Sequence, residues 1–202
     1  MSHQLVPRVE ETAEEIQEQK DTKSLGFWIY LMTDCILFAS LFATYIVLRD
    51  ATNGGPSGHD LFEMPFVLAE TLVLLVSSFV CGMAVLAARA GRKQLTLLCL
   101  GITFLLGATF LGLELSEFTK LASEGHGWWA SAFLSAFFTL VATHGLHIAI
   151  GLLWIGVMAW QLFRRGFTPG VTRRLVLFSL FWHFLDVIWI FIFTIVYLMG
   201  VA

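Results

Sequence analysis

The sequence predicts an all-α membrane protein: a polytopic bundle of five transmembrane helices, with the N-terminus in the cytoplasm and the C-terminus in the periplasm. Three observations predict it. Of the 202 residues, 57% are hydrophobic and only 13% are charged, and the mean hydropathy is +0.79, well outside the range of soluble domains. The chain holds five predominantly apolar runs of about 20 residues or more, the length that crosses a bilayer. Its basic residues also gather on alternate connections. Arg8, Lys20 and Lys23 precede the first run; Arg89, Arg92 and Lys93 follow the second; Arg164, Arg165, Arg173 and Arg174 follow the fourth. Only Arg49 and Lys120 fall on the other side, so the positive-inside rule sets the direction.

Residues 1–25 read as an acidic cytoplasmic tail. The stretch EETAEEIQEQ has almost nothing to bury, so it is expected to be a solvated arm, partly helical or disordered. No basic segment leads into a short apolar core with a small-residue cleavage site, so no signal peptide is expected to be removed. Residues 26–202 form the transmembrane domain, with spans at about 26–48, 66–88, 95–118, 129–163 and 175–199. A bilayer offers no partner to open backbone groups, and the runs are too long for barrel strands, so each is a helix. The fourth, about 50 Å long if wholly helical, should tilt or project. Between the first two, DATNGGPSGHDLFEMP is rich in Gly and Pro and reads as an exposed loop.

Several features carry no function. Cys35, Cys81 and Cys99 lie singly in apolar runs, without the spacing of a disulfide framework or zinc site. Ala108 with Gly112, and Ala132 with Ala136, are small residues one turn apart that allow close helix approach. Trp28, Trp128 and Trp129 sit at span ends and fit an interfacial belt, whereas Trp182 and Trp189 lie deeper, against lipid tails or a partner helix. No repeat relates the spans, which argues against the inverted-repeat architecture of many transporters.

The informative residues are the polar ones inside the spans: Asp34, Glu70, Glu114, Glu117, His144, His147, His183 and Asp186. In ELSE, HGLH and HFLD the spacing is i, i+3, which puts both side chains on one helix face. Facing carboxylates and histidines at that spacing build di-iron sites, and histidines from two helices can hold a haem. Depth argues against either. At 1.5 Å per residue, Glu114 and Glu117 lie near the outer end of their span, while His183 and Asp186 lie about 12 and 16 Å up theirs from inside. Groups separated by about 10 Å along the normal cannot converge on one ion held at about 2 Å. The expected roles are therefore structural: hydrogen-bonded groups that fix helix register, each contributing roughly 0.6 kcal/mol. A continuous relay of protons is not expected from these depths.

These residues carry a resemblance. FWIYLMTDCILFASLFATY, ETLVLLVSS, FLSAFFTLVATHGLHIAIGLLW and LFWHFLDVIWIFIFTIVYLMG, in that order, resemble subunit III of the haem-copper respiratory oxidases. Within that family the chain is similar to the five-helix form found in bacterial bo-type ubiquinol oxidases. The resemblance covers about residues 26–200 and leaves the acidic tail outside. It implies a non-catalytic accessory subunit of a proton-pumping quinol oxidase that reduces oxygen to water, with subunits I, II and IV as partners in the bacterial inner membrane. The two haems and the copper belong to subunit I, and no cofactor is expected in this chain. It also implies bound phospholipid, stabilisation of the catalytic subunit, and support for proton uptake or oxygen access. Asp34 falls where the family has a buried carboxylate, and His144, His147, His183 and Asp186 fall on its two histidine motifs, none as a redox ligand. Catalytic, cofactor and metal residues are expected to be none; the eight polar residues are structural or lipid-associated. No nucleic-acid partner is expected. The competing readings are subunit III of a bacterial cytochrome c oxidase and, from other classes, a stand-alone membrane metalloprotein or a proton-coupled transporter.

Overall fold

In the computed structural model, the structure describes the backbone of residues 5–201 and the side chains of Thr22, residues 25–59 and residues 61–201. The described residues are helical, without strands: α1 (Leu5–Leu48), α2 (Gly58–Leu61), α3 (Met64–Arg89), α4 (Lys93–Ser123), α5 (Ala132–Arg165), α6 (Pro169–Ile192), a wider π-helical turn (Phe193–Leu198) and α7 (Met199–Val201). Five helical stretches are long and apolar enough to cross a membrane: Leu25–Leu48, Met64–Arg89, Lys93–Ser123, Ala132–Arg165 and Pro169–Val201. This is the five-span all-α class expected from the sequence. The chain divides into two compact units, Met1–Ala39 and Ser40–Ala202. The described residues of the first form one helical segment. Its backbone is already helical from Leu5, across the part read as a tail, whose side chains up to Asp21 lie outside the described residues.

In the second unit the helix ends are set by local chemistry. Ser131 caps α5 by accepting from the Leu134 amide at 3.1 Å, so the helix starts at Ala132, leaving Trp128 and Trp129 ahead of it. Thr168 caps α6 in the same way, and Pro169 occupies the first helical position, where a missing N–H costs nothing. The α3–α4 turn needs Gly91 at φ +68°, a conformation that penalises any Cβ. Lys93, just past that turn, donates from Nζ to the Phe163 carbonyl at 3.0 Å. The two basic turns therefore share one end of the bundle. At the opposite end Lys120 pairs with Glu63 at 2.7 Å; both are exposed to solvent screening, so Lys120→Met should leave the midpoint of a thermal melt nearly unchanged.

The core is built on Trp182 and Trp189, which are 1% and 0% exposed. Of the two settings expected for these rings, lipid tails or a partner helix, the structure shows the second: both face into this bundle, against neighbouring helices. Trp182 lies between Gly107 of α4 and Gly151 of α5, where an added Cβ would come within 2.8 and 2.7 Å of its ring. The close approaches are at these glycines rather than at Gly112, which has nothing within 4 Å. Each indole donates to an α3 hydroxyl: Trp182 Nε1 to Ser77 Oγ at 3.2 Å and Trp189 Nε1 to Thr71 Oγ1 at 3.0 Å. Rising numbers on α6 meet falling numbers on α3, so the two bonds also fix the antiparallel register.

Candidate functional site

The buried polar groups fall into separate sets. The largest lies toward the Glu63–Lys120 end. Glu70 of α3 and Glu114 of α4 are 0% and 2% exposed, and Glu70 and Glu117 are the carboxylates close enough to act on Glu114 electrostatically. Tyr197 completes the set by donating its hydroxyl to Glu117 Oε2 at 3.2 Å. The π-helical turn carries Tyr197; its larger girth shifts the residues beyond it around the helix axis, and such turns recur at functional sites. Glu117 also lines a cavity of about 370 Å³ shared with Glu63, Phe66, Ser116 and Lys120.

Glu114 points at α5. Both its carboxylate oxygens lie 2.8 Å from where a Cβ on Gly145 would sit, so the absence of a side chain there is what admits them. Neither oxygen has a hydrogen-bond partner among the described residues, and the same holds for Glu70. Next to Gly145, His144 is fully buried; it stacks on Trp189 at 5.2 Å and 30°, and Phe110 meets the two rings edge-on at 5.9 and 4.6 Å. Aromatic packing thus covers one face of this imidazole and borders it with a second ring. One turn on, His147 donates from Nδ1 to the Thr143 carbonyl of its own helix at 2.7 Å.

The second set lies midway along α6. His183 donates from Nδ1 to the Ser179 carbonyl at 2.6 Å and is exposed. Asp186, 8% exposed, faces Ser78 of α3 and lies within electrostatic reach of His183. Asp34 belongs to the first unit, where the Tyr30 hydroxyl, one turn earlier, hydrogen-bonds to it.

The structure therefore brings Glu70, Glu114 and Glu117 together and leaves His183 and Asp186 apart from them. Among the described residues no group of three or more His, Cys, Asp or Glu is placed to hold a metal ion. His147 and His183 each hydrogen-bond through Nδ1 to a carbonyl of their own helix, because at i−4 the backbone carbonyl is the nearest acceptor. Sequence reasoning missed Tyr197, Thr71, Ser77 and Gly145. Gly145 had a visible signal, lying between the histidines of HGLH.

A second groove, of about 470 Å³, runs between α4 and α5 and is lined by Leu115, Phe118, Ala122, Trp128 and Phe138 among others. Its walls are almost wholly apolar, and Trp128, one of them, is exposed.

Comparison with known proteins gives one consistent result. The family model for cytochrome c oxidase subunit III matches residues 14–201. The chain is 58% identical to the cytochrome bo(3) ubiquinol oxidase subunit 3 of Pseudomonas aeruginosa, over 87% of this chain and 84% of that one. It is 50% identical to the cytochrome c oxidase subunit 3 of Bacillus sp. strain PS3, over 89% and 87%. It is also similar to the quinol oxidase subunit 3 of Bacillus subtilis, at 49% over 88% and 87%.

Proposed function

Because this chain belongs to the cytochrome c oxidase subunit III family, we propose that it serves as the accessory third subunit of a terminal oxidase that takes electrons from ubiquinol and reduces oxygen to water. As a member of that family it is a multi-pass membrane subunit of an oxidoreductase complex and not the catalytic one. The observation that carries the ubiquinol reading is the 58% identity to a bo(3) ubiquinol oxidase subunit over most of both chains. The 50% identity to a cytochrome c oxidase subunit supports the second reading, in which the donor is cytochrome c.

The partners are subunits I, II and IV, and the two haems and the copper sit in subunit I. The membrane is the bacterial inner membrane, with the N-terminus in the cytoplasm, as the excess of Lys and Arg on one set of connections argues. Asp34, Glu70, Glu114, Glu117, His144, His147, His183 and Asp186 act as structural or lipid-associated polar groups. The apolar groove at Trp128 suits a phospholipid acyl chain, since an indole at a span end favours the headgroup level. By packing against subunit I, the chain stabilises the catalytic subunit and supports proton uptake or oxygen access.

The test is to tag the N-terminus, extract native membranes in mild detergent and identify what co-purifies by mass spectrometry. Recovery with a large haem-containing subunit and a quinol-oxidase subunit II is the expected result; a cytochrome c-binding subunit II would favour the second reading. Recovery of the chain alone, under conditions that keep respiratory complexes intact, would overturn both. Metal analysis offers an independent check: iron and copper should follow the whole complex and fall well below one per chain once this subunit is separated from it.

A further inference from the structure

His183 lies near the middle of its span, about 21 Å along the helix from Pro169 and about 27 Å from Val201, and its side chain is exposed. The Ser179 carbonyl, 2.6 Å from Nδ1, can only accept, so in the neutral ring Nδ1 carries the proton and Nε2 is left as an acceptor. Nε2 lies over Gly82 of α3, 3.8 Å from where a Cβ there would sit. It has no hydrogen-bond partner among the described residues. Beneath it, one oxygen of the buried Asp186, Oδ1, is likewise without a partner among them. Hydrocarbon supplies no donor at this depth, and an unmatched polar group there costs several kcal/mol. A phospholipid headgroup cannot reach the middle of the bilayer.

The surroundings suit a helix. On α6, Val176, His183, Val187 and Ile190 follow one helical stripe, and on α3 Phe79 and Leu86 flank Gly82 at i−3 and i+4; all but Gly82 are exposed. Gly82 lowers the wall between the stripes, as small residues do where membrane helices approach closely. We propose that this α3–α6 groove seats a transmembrane helix of a neighbouring oxidase subunit, which presents a hydrogen-bond donor to His183 Nε2. The proposal rests on the reading of the chain as an oxidase subunit and adds the face and the chemistry by which it docks.

The experiment places a photoreactive benzophenone amino acid at Val187 in the tagged, full-length chain in native membranes, with Leu153 of α5, 73% exposed, as the comparison site. The Val187 probe should give an adduct with another oxidase subunit, and the Leu153 probe adducts with lipid. His183→Phe should lower co-purified partner about threefold, the effect of one typical interhelical hydrogen bond. His183→Gln, which returns an acceptor near the Nε2 position, should hold recovery close to that of the unaltered chain. Val187 adducts confined to lipid or to this chain itself, in membranes where the unaltered chain still brings down oxidase subunits, would overturn the docking proposal alone. Failure of the unaltered chain to bring down any oxidase subunit would overturn the functional reading and this proposal with it.

Discussion

Trp182→Ala should lower the stability of the folded subunit by about 3 kcal/mol or more, read as a shift in its SDS-unfolding midpoint in bicelles. The size follows from where the ring sits. Trp182 touches α4 at Gly107 and α5 at Gly151 and hydrogen-bonds to Ser77 of α3, so one truncation empties a space bounded by four helices. In a membrane the apolar area itself counts for little, because lipid is as apolar as the core. What is lost is dispersion contact, which a cavity too small for a lipid tail cannot recover. The expectation separates from a hydrogen-bond effect through Trp182→Phe, which keeps part of the ring and removes the N–H; that change should cost less than half as much. Equal losses for Phe and Ala would mean that the indole N–H, not the packing, dominates. Conversely, Gly151→Leu should be as damaging as Trp182→Ala, since its side chain would have to occupy the ring's own space.

How much of this could be read beforehand depends on the kind of signal. The spans are legible because length and hydropathy are properties of contiguous residues, and the i, i+3 pairs because helical periodicity fixes a shared face. The depths of Glu70, Glu114 and Glu117 are also consistent with their meeting toward the Glu63–Lys120 end. What they meet was not legible. Tyr197 reaches Glu117 from the π-helical turn at Phe193–Leu198, and FTIVYL carries no Gly or Pro that would announce a change of helical pitch. The indole bonds were missed because Ser77 and Thr71 are uncharged and cost little to bury when paired, so they do not stand out as Glu or His does. Glycines were the opposite problem. The chain has 17 of them, and composition does not distinguish Gly107, which a buried ring presses against, from Gly112, which faces open space.

Gly145→Ala should destabilise the bundle, and Glu114→Ala should abolish most of that penalty. In the native structure the Glu114 carboxylate occupies the place of the missing side chain, with both oxygens 2.8 Å from the Cβ position and the carboxyl carbon at 3.1 Å. One methyl group therefore forces a buried carboxylate to move, toward Glu70 and Glu117 on one side or into the packed α4–α5 contact on the other. Overpacking of this kind costs about 1–3 kcal/mol. Glu114→Ala by itself should cost far less than a lost ion pair, because neither oxygen has a hydrogen-bond partner among the described residues and a buried carboxylate without one gives little back for its desolvation. The double variant then restores fit: the alanine at 145 fills space that the carboxylate has left. A double-mutant cycle on the SDS-unfolding midpoint should give a coupling energy of about 1 kcal/mol or more, with the pair more stable than the sum of its parts. Additive effects would mean that Glu114 turns away from α5 at no cost, and that Gly145 serves some purpose other than admitting it.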